Sequence, residues 1–307
     1  MNDTDDSHNS ALHKASIVVP AHNEETRGFG LLSVLESAAR ELNYLIVVVC
    51  NGCNDQTASL ARRVPALVVI EIVESGKSNA LNVGDVVAGD VFPRLYIDAD
   101  VQIDLKSLQD IVSSLDVEQP KAAGPVVRYL SDDSPWLIRA YYRAHDSIPF
   151  LAELRKHHLD GRGVYGVNRA GRYQFQEFPP IRADDAFFNR MFDYDQKLLV
   201  ESARVGVPTP SSLLEFFKTQ TRAAEGTREL HAWMKAHRPD HHVVLSDQVD
   251  PRLPFSRRLR HHLEKGALAD SRKFGDIAMT AAYLFVETTT RANAGIRRLL
   301  GSEIKWR

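Results

Sequence analysis

Four short runs along the chain are apolar on consecutive positions rather than alternating ones: 16–20 (SIVVP), 45–50 (LIVVVC), 67–73 (LVVIEIV) and 94–98 (RLYID). Unbroken β-branched runs of this length mark strands buried on both faces. Between them, 31–43 (LLSVLESAARELN), 55–64 (DQTASLARRV) and 79–89 (NALNVGDVVAG) carry apolar residues at helical spacing. This alternation predicts right-handed crossovers into an α/β fold, a doubly wound, mainly parallel sheet flanked by helices. Ligands of such sheets bind beyond the carboxyl ends of the strands. After about residue 120 the rhythm changes to a strand-like stretch at 122–130, a helix over 135–158 and a glycine-bearing stretch at 160–172 (DGRGVYGVNRAGR). From 211 the pattern is mostly helical, through 211–237, 255–268 and 274–301. The predicted organisation is a disordered polar tail (1–14), an α/β domain (15–210, with halves 15–104 and 105–210) and a helical C-terminal region (211–307).

Composition narrows the partner. The 307 residues are 44% hydrophobic, and 38 Lys plus Arg stand against 40 Asp plus Glu, a formal charge of -2. No global basic excess argues for nucleic acid. The opening MNDTDDSHNSALHK lacks the basic start and apolar core of a secretory signal, and the longest late apolar run, 277–286, is about half the roughly 20 residues a membrane span needs. A cytoplasmic protein is expected. Cys50 and Cys53 form a C-x-x-C, open to a redox pair or half a zinc site, though a small buried hydrophobe is the preferred reading of Cys50.

The strand ends hold the candidate chemistry: VVPAHNEE (18–25), VVVCNGCNDQT (47–57), ESGKSNALNVG (74–84) and YIDADV (96–101). Glu24, Asn51, Asp55, Lys77, Asp98 and Asp100 could converge there on a polar ligand that carries both acceptor groups and negative charge, such as a nucleoside diphosphate. In an extended chain residues two apart face the same way, so Asp98 and Asp100 should project together. Two such carboxylates call for a solvated turn, a shared proton or a bound cation.

Taken in order, 16–25 (SIVVPAHNEE), 50–57 (CNGCNDQT), 76–84 (GKSNALNVG), 96–104 (YIDADVQID), 166–172 (GVNRAGR) and 182–188 (RADDAFF) resemble the inverting family 2 glycosyltransferases of GT-A fold, over roughly residues 15–192. The resemblance implies a hexosyltransferase-like enzyme of polysaccharide or glycoconjugate biosynthesis, moving a sugar from a UDP, GDP or dTDP donor to an acceptor hydroxyl. It places Pro20, Ala21, Asn23 and Glu24 along the nucleoside, Asn51 and Asp55 beside the base, and Lys77 near the base or diphosphate. Asp100 would ligate Mg²⁺ or Mn²⁺, with Asp98 sharing the metal or holding the ribose. The metal would act as a Lewis acid on the leaving diphosphate. Asp184 or Asp185 would deprotonate the acceptor; spacing to Arg190 favours Asp184, reading the two as the family's acidic pair favours Asp185, and Asp184 is the preferred base. Many relatives carry Asp where this chain has Asn51, whose amide can still pair with a base edge. The Q-x-x-R-W motif of processive synthases is missing, so a single addition is expected.

Other readings compete. A haloacid-dehalogenase phosphatase needs Thr or Val where Gln102 stands, and a P-loop needs glycine where Glu71 stands. A catalytically inactive nucleotide-sugar binding module and a nucleotidyltransferase on a related sheet are the functional alternatives. Asp184 and Asp185 could instead cap a helix. Histidines at 157, 158, 241, 242, 261 and 262 read as solvated surface. Trp136, Tyr141 and Tyr142 read as core, or as an acceptor platform. The last helix, with Phe274, Ile277, Leu284 and Phe285 beside Arg291, Arg297 and Arg298, reads as core or as a peripheral membrane contact.

Overall fold

The computed structural model describes residues 13–27, 30–147, 155–156, 158–238, 283, 285–286 and 288–290. Its first half follows the predicted alternation: β1 (Ala15–Ala21), α1 (Leu32–Glu41), β2 (Tyr44–Asn51), α2 (Thr57–Arg62), β3 (Val68–Ile72), α3 (Lys77–Ala88) and β4 (Arg94–Ile97). β1 lies between β2 and β4, parallel to both, and β3 adds to the far side of β2, also parallel. Ala15, Ile17, Val18, Val19 and Ala21 are fully buried, because helices cover both faces and every position of the strand leaves water. Each such Val or Ile contributes about 1.5–3 kcal/mol of burial.

The second half comprises β5 (Gln102–Ile103), α4 (Leu105–Ser114), β6 (Ala122–Leu130), α5 (Trp136–Ser147), β7 (Val164–Val167), α6 (Arg169–Arg172), α7 (Asp184–Arg190), β8 (Lys197–Pro208) and α8 (Leu213–His237). The sheet runs β3-β2-β1-β4-β7-β6-β8-β5. β7 is antiparallel to β4 and to β6, and β6 runs parallel to β8. The sheet is therefore mixed, with parallel pairing throughout β3, β2, β1 and β4.

One face packs Leu35 and Ala38 of α1 with Leu108 and Ile111 of α4. The other gathers Ala80 and Leu81 of α3, Phe187 and Phe188 of α7, and Leu230 and Met234 of α8. A Cβ on Gly84 would stand 2.2 Å from Val18 Cγ1, so α3 lies directly on β1. That contact fixes the helix whose first residue is Lys77. Beneath it, the buried carboxylate of Asp85 pairs with Arg94 and Arg172 and accepts the Tyr96 hydroxyl at 2.7 Å. The network ties α3, β4 and α6 together, and removing one partner of such a buried ion pair costs about 3–5 kcal/mol.

One expectation changes. β4 ends at Ile97, and Asp98 to Val101 form a turn closed by Val101 N donating to Asp98 O at 3.4 Å. The period of two that would align Asp98 with Asp100 does not apply there. Asp104, the third carboxylate of that stretch, caps α4 by accepting Ser107 N at 2.6 Å, worth about 1 kcal/mol. The helix expected over 135–158 is described over Trp136–Ser147 and at 155–156.

The helices expected over 255–268 and most of 274–301, with Phe274, Ile277, Leu284 and the late arginines, lie outside the described residues. Where that segment is described, Val286 is buried with Ile138 and Phe216, Tyr283 stacks on Tyr141 at 5.5 Å, and Phe285 is exposed. Among the described residues no helix is long and apolar enough to cross a membrane.

Candidate active site

The site is assembled where β1, β2 and β4 end and α3 and α7 begin. After β1, Asn23 adopts φ 54°. Its Oδ1 accepts Asn54 N at 3.0 Å, and its Nδ2 meets His22 Nε2 at 3.2 Å. Glu24 N donates to Thr57 Oγ1 at 2.7 Å. Asp55 accepts Thr57 N at 2.9 Å and Glu25 N at 3.1 Å. Burial pushes the Asp55 carboxyl up, but these bonds outweigh it and hold the group below its ordinary value. It stays ionised and clasps the β1 loop to the β2 loop.

Pro20 and Ala21 are buried strand residues; Ala21 O accepts Asn51 Nδ2 at 2.9 Å. Asn51 itself is fully buried, and its Oδ1 accepts Gly76 N at 3.1 Å. Both ends of the amide are engaged by backbone, so Asn51 fastens the ends of β1 and β2 to the turn before Lys77. Gly52 permits the fit, at φ +57° with an added Cβ 2.8 Å from Ser75 Cβ.

Lys77 is the hub. Its Nζ lies 2.7 Å from Asp98 Oδ1 and 3.0 Å from Asp184 Oδ2. Burial favours the neutral amine, yet the charges of Asp184 and Asp98 outweigh it and raise its pKa. One ammonium thus joins the carboxylate after β4 to the carboxylate that opens α7. Asp184 is 2% exposed and accepts the hydroxyl of Tyr165 at 2.9 Å. Tyr165, opposite Tyr96 in the β4–β7 pair, is packed between Tyr96 and Phe188.

Asp185 has different surroundings. Its Oδ2 accepts Gly161 N and its Oδ1 accepts Ala186 N, each at 2.7 Å, and its side chain is only partly buried. Burial and the neighbouring Asp184 charge push its carboxyl up to about 7, with Lys77 opposing. The loop before β7 supports both carboxylate clusters. Gly163 O accepts Asp98 N at 2.8 Å. At φ +66° a Cβ on Gly163 would come within 2.5 Å of Val101 Cγ1 and 3.6 Å of Asp98 Oδ2.

Tyr165, Gly161 and Gly163 have no role in the sequence reading. The paired glycines of GRGVYG were the available signal, since both adopt the positive φ that glycine tolerates.

Asp98 and Asp100 offer hard carboxylate oxygens that suit Mg²⁺ or Mn²⁺. The ammonium on Asp98 shows that this position already attracts a cation. Among the described residues no group of three or more His, Cys, Asp or Glu side chains could hold a metal by itself. The pair fits a metal that takes its remaining oxygens from a bound ligand. Burial pushes the Cys50 thiol up to about 12 and raises Cys53 as well. Both are free thiols in protonated form, poorly suited to redox exchange.

This mixed sheet, with carboxylates after β4 and at the start of α7 joined across one lysine, defines a GT-A type fold. Residues 16–177 match the family model for glycosyl transferase family 2, and the chain belongs to that family. A dolichol-phosphate mannosyltransferase of Pyrococcus furiosus is 35% identical over 94 residues, 29% of this chain and 26% of that protein, so the match spans about a quarter of the relative's own length. Among solved structures, a mannosyltransferase from Pyrobaculum calidifontis in complex with GDP-Man and Mn²⁺ superposes with TM-score 0.56 at 17% identity, covering 94% of this chain and 80% of the other. Glucosyl-3-phosphoglycerate synthase from Mycobacterium tuberculosis, with Mn²⁺, UDP and glucosyl-3-phosphoglycerate, gives TM-score 0.52 at 18% identity, covering 74% and 80%. These two show the fold.

Proposed function

We propose that the protein transfers a sugar from a nucleoside diphosphate donor to an acceptor hydroxyl in a single inverting displacement, with Asp185 as general base. The observation that carries this reading is the Asp98–Lys77–Asp184 chain, which puts the diphosphate-side carboxylate within one ammonium's reach of the acidic pair on α7.

The residues divide the work. The β1 and β2 loops, with Asn23, Glu24 and Asp55, form the nucleoside wall. Lys77 meets the diphosphate. Asp98 and Asp100 would hold Mg²⁺ or Mn²⁺, which when bound supplies positive charge to the departing diphosphate. Asp185, rather than Asp184, suits the base: it is partly exposed, and a carboxyl near 7 is half ionised at neutral pH and accepts a proton readily. Asp184 is dry, paired with Lys77 and bonded to Tyr165, so it positions rather than reacts.

The 35% relative's name and the GDP-Man in the Pyrobaculum structure support mannose on GDP as the first donor to try. A transfer assay with GDP-mannose and UDP-sugars against hydroxyl acceptors tests the reading. The anomeric coupling of the product, read by NMR, should be opposite to that of the donor; a retained configuration would refute single displacement. Turnover in Asp185→Asn equal to the unmodified enzyme would refute the base assignment.

A further inference from the structure

Lys77 is held asymmetrically. On one side Asp184 is 2% exposed and fixed by the Tyr165 hydroxyl at 2.9 Å. On the other side the Asp98 side chain is 32% exposed, at the open end of β4. An ammonium has three donors on a flexible stem, so it can keep its bond to Asp184 while exchanging Asp98 for another anion. We propose that Lys77 is a tethered counter-ion for Asp98, and that its transfer to an incoming diphosphate makes metal binding at Asp98 depend on nucleotide binding.

The inference builds on the metal and diphosphate sites proposed above. A bare divalent cation approaching Asp98 meets a positive charge already seated 2.7 Å from Oδ1. With a nucleotide present, the diphosphate gives the ammonium a new partner and Asp98 is released. Metal and nucleotide then favour each other reciprocally, as linkage requires. Tyr165 and Asp184 act as positioning residues that keep the ammonium close enough to return.

Manganese binding is measured on the full chain by the EPR signal of free Mn²⁺, with Mn²⁺ alone and with UDP or GDP added. The unmodified protein should bind Mn²⁺ alone about tenfold or more weakly than with its nucleotide. Lys77→Gln should bind Mn²⁺ alone about fivefold or more tightly than the unmodified protein, and the gain from nucleotide should shrink. Lys77→Arg, which restores the charge, should restore the coupling; Lys77→Met is the companion variant if Lys77→Gln does not fold. Manganese that binds with nucleotide, yet binds the charge-removed variants alone no tighter than the unmodified protein, would overturn the counter-ion role and leave the metal site standing. No manganese binding with either nucleotide would overturn the metal site and the counter-ion role together.

Discussion

Asp185→Asn should separate activity from stability through pH. Asp185 has its carboxyl pushed from the ordinary 3.8 to about 7, so the folded chain holds a proton there that the unfolded chain releases. The sign follows from linkage: where the native state binds more protons, stability falls as pH rises. The unmodified protein therefore loses stability between about pH 4 and pH 7, and the asparagine variant lacks that loss. Between pH 5 and pH 8 the full effect would approach ~3 kcal/mol; because Asp185 is partly exposed, ~1–2 kcal/mol is the expected size. For a chain of this length that is a melting-temperature difference of about 1.5–3 °C.

The amide must turn its NH₂ toward one of the two backbone N–H groups that the carboxylate accepts. That penalty is the same at both pH values and cancels in the comparison. Activity should move the other way. A base with a carboxyl at about 7 is half ionised at pH 7 and about one-tenth at pH 6, so kcat/KM should fall roughly fivefold over that unit. In the variant the profile should be flat and lower by about 10²–10⁴-fold. Melting curves at pH 5 and 8, read beside kcat/KM from pH 5.5 to 8.5, make the test. A melting difference independent of pH, with the acid limb of the rate unchanged in the variant, would refute the reasoning.

Gly163→Ala must relieve a 2.5 Å approach to Val101 and adopt φ +66°; thermal melting should drop, and donor affinity measured by calorimetry should fall about tenfold, because the shifted turn carries Asp98. Asn51→Ala leaves the Ala21 carbonyl and the Gly76 amide without their bonds, and urea unfolding should show a loss of about 1–3 kcal/mol. Cys50 and Cys53, with raised thiols, should react with iodoacetamide at pH 7.5 far more slowly in the folded protein than in urea. Rapid labelling of the native protein would show a thiolate that this account does not contain.

The first half of the fold was legible because its signals are local. Runs such as 45–50 are apolar at every step, and a strand buried on both faces produces that pattern whatever it pairs with. The insertion of β7 between β4 and β6 was not legible: it joins residues 164–167 to 94–97 and 122–123, and periodicity carries no information about such distant partners. The site divides the same way. Asp98, Asp100, Lys77 and the Asp184–Asp185 pair stood out as charged residues at motif positions, and the structure brings Lys77 to Asp98 and Asp184.

Their division of labour needed three dimensions. Adjacent aspartates at 184 and 185 differ because the Tyr165 hydroxyl reaches one and the Gly161 amide reaches the other. Asn51 read as a ligand for a base because its type suits that task. Its burial follows from Ala21 and Gly76, residues 30 and 25 positions away. Asp98 and Asp100 were placed by the geometry of a strand that stops one residue before them.

The central claim is a donor site built on the carboxylates after β4. Its most direct test is the thermal shift of the full chain with GDP and with UDP, with and without Mn²⁺, on the unmodified protein and on Asp100→Ala. At about 100 times Kd a ligand adds about 2.7 kcal/mol to the folded state. A manganese-dependent upward shift of several degrees is expected with at least one nucleotide, absent in Asp100→Ala. A shift that survives the substitution undiminished, or no shift with either nucleotide, would contradict it.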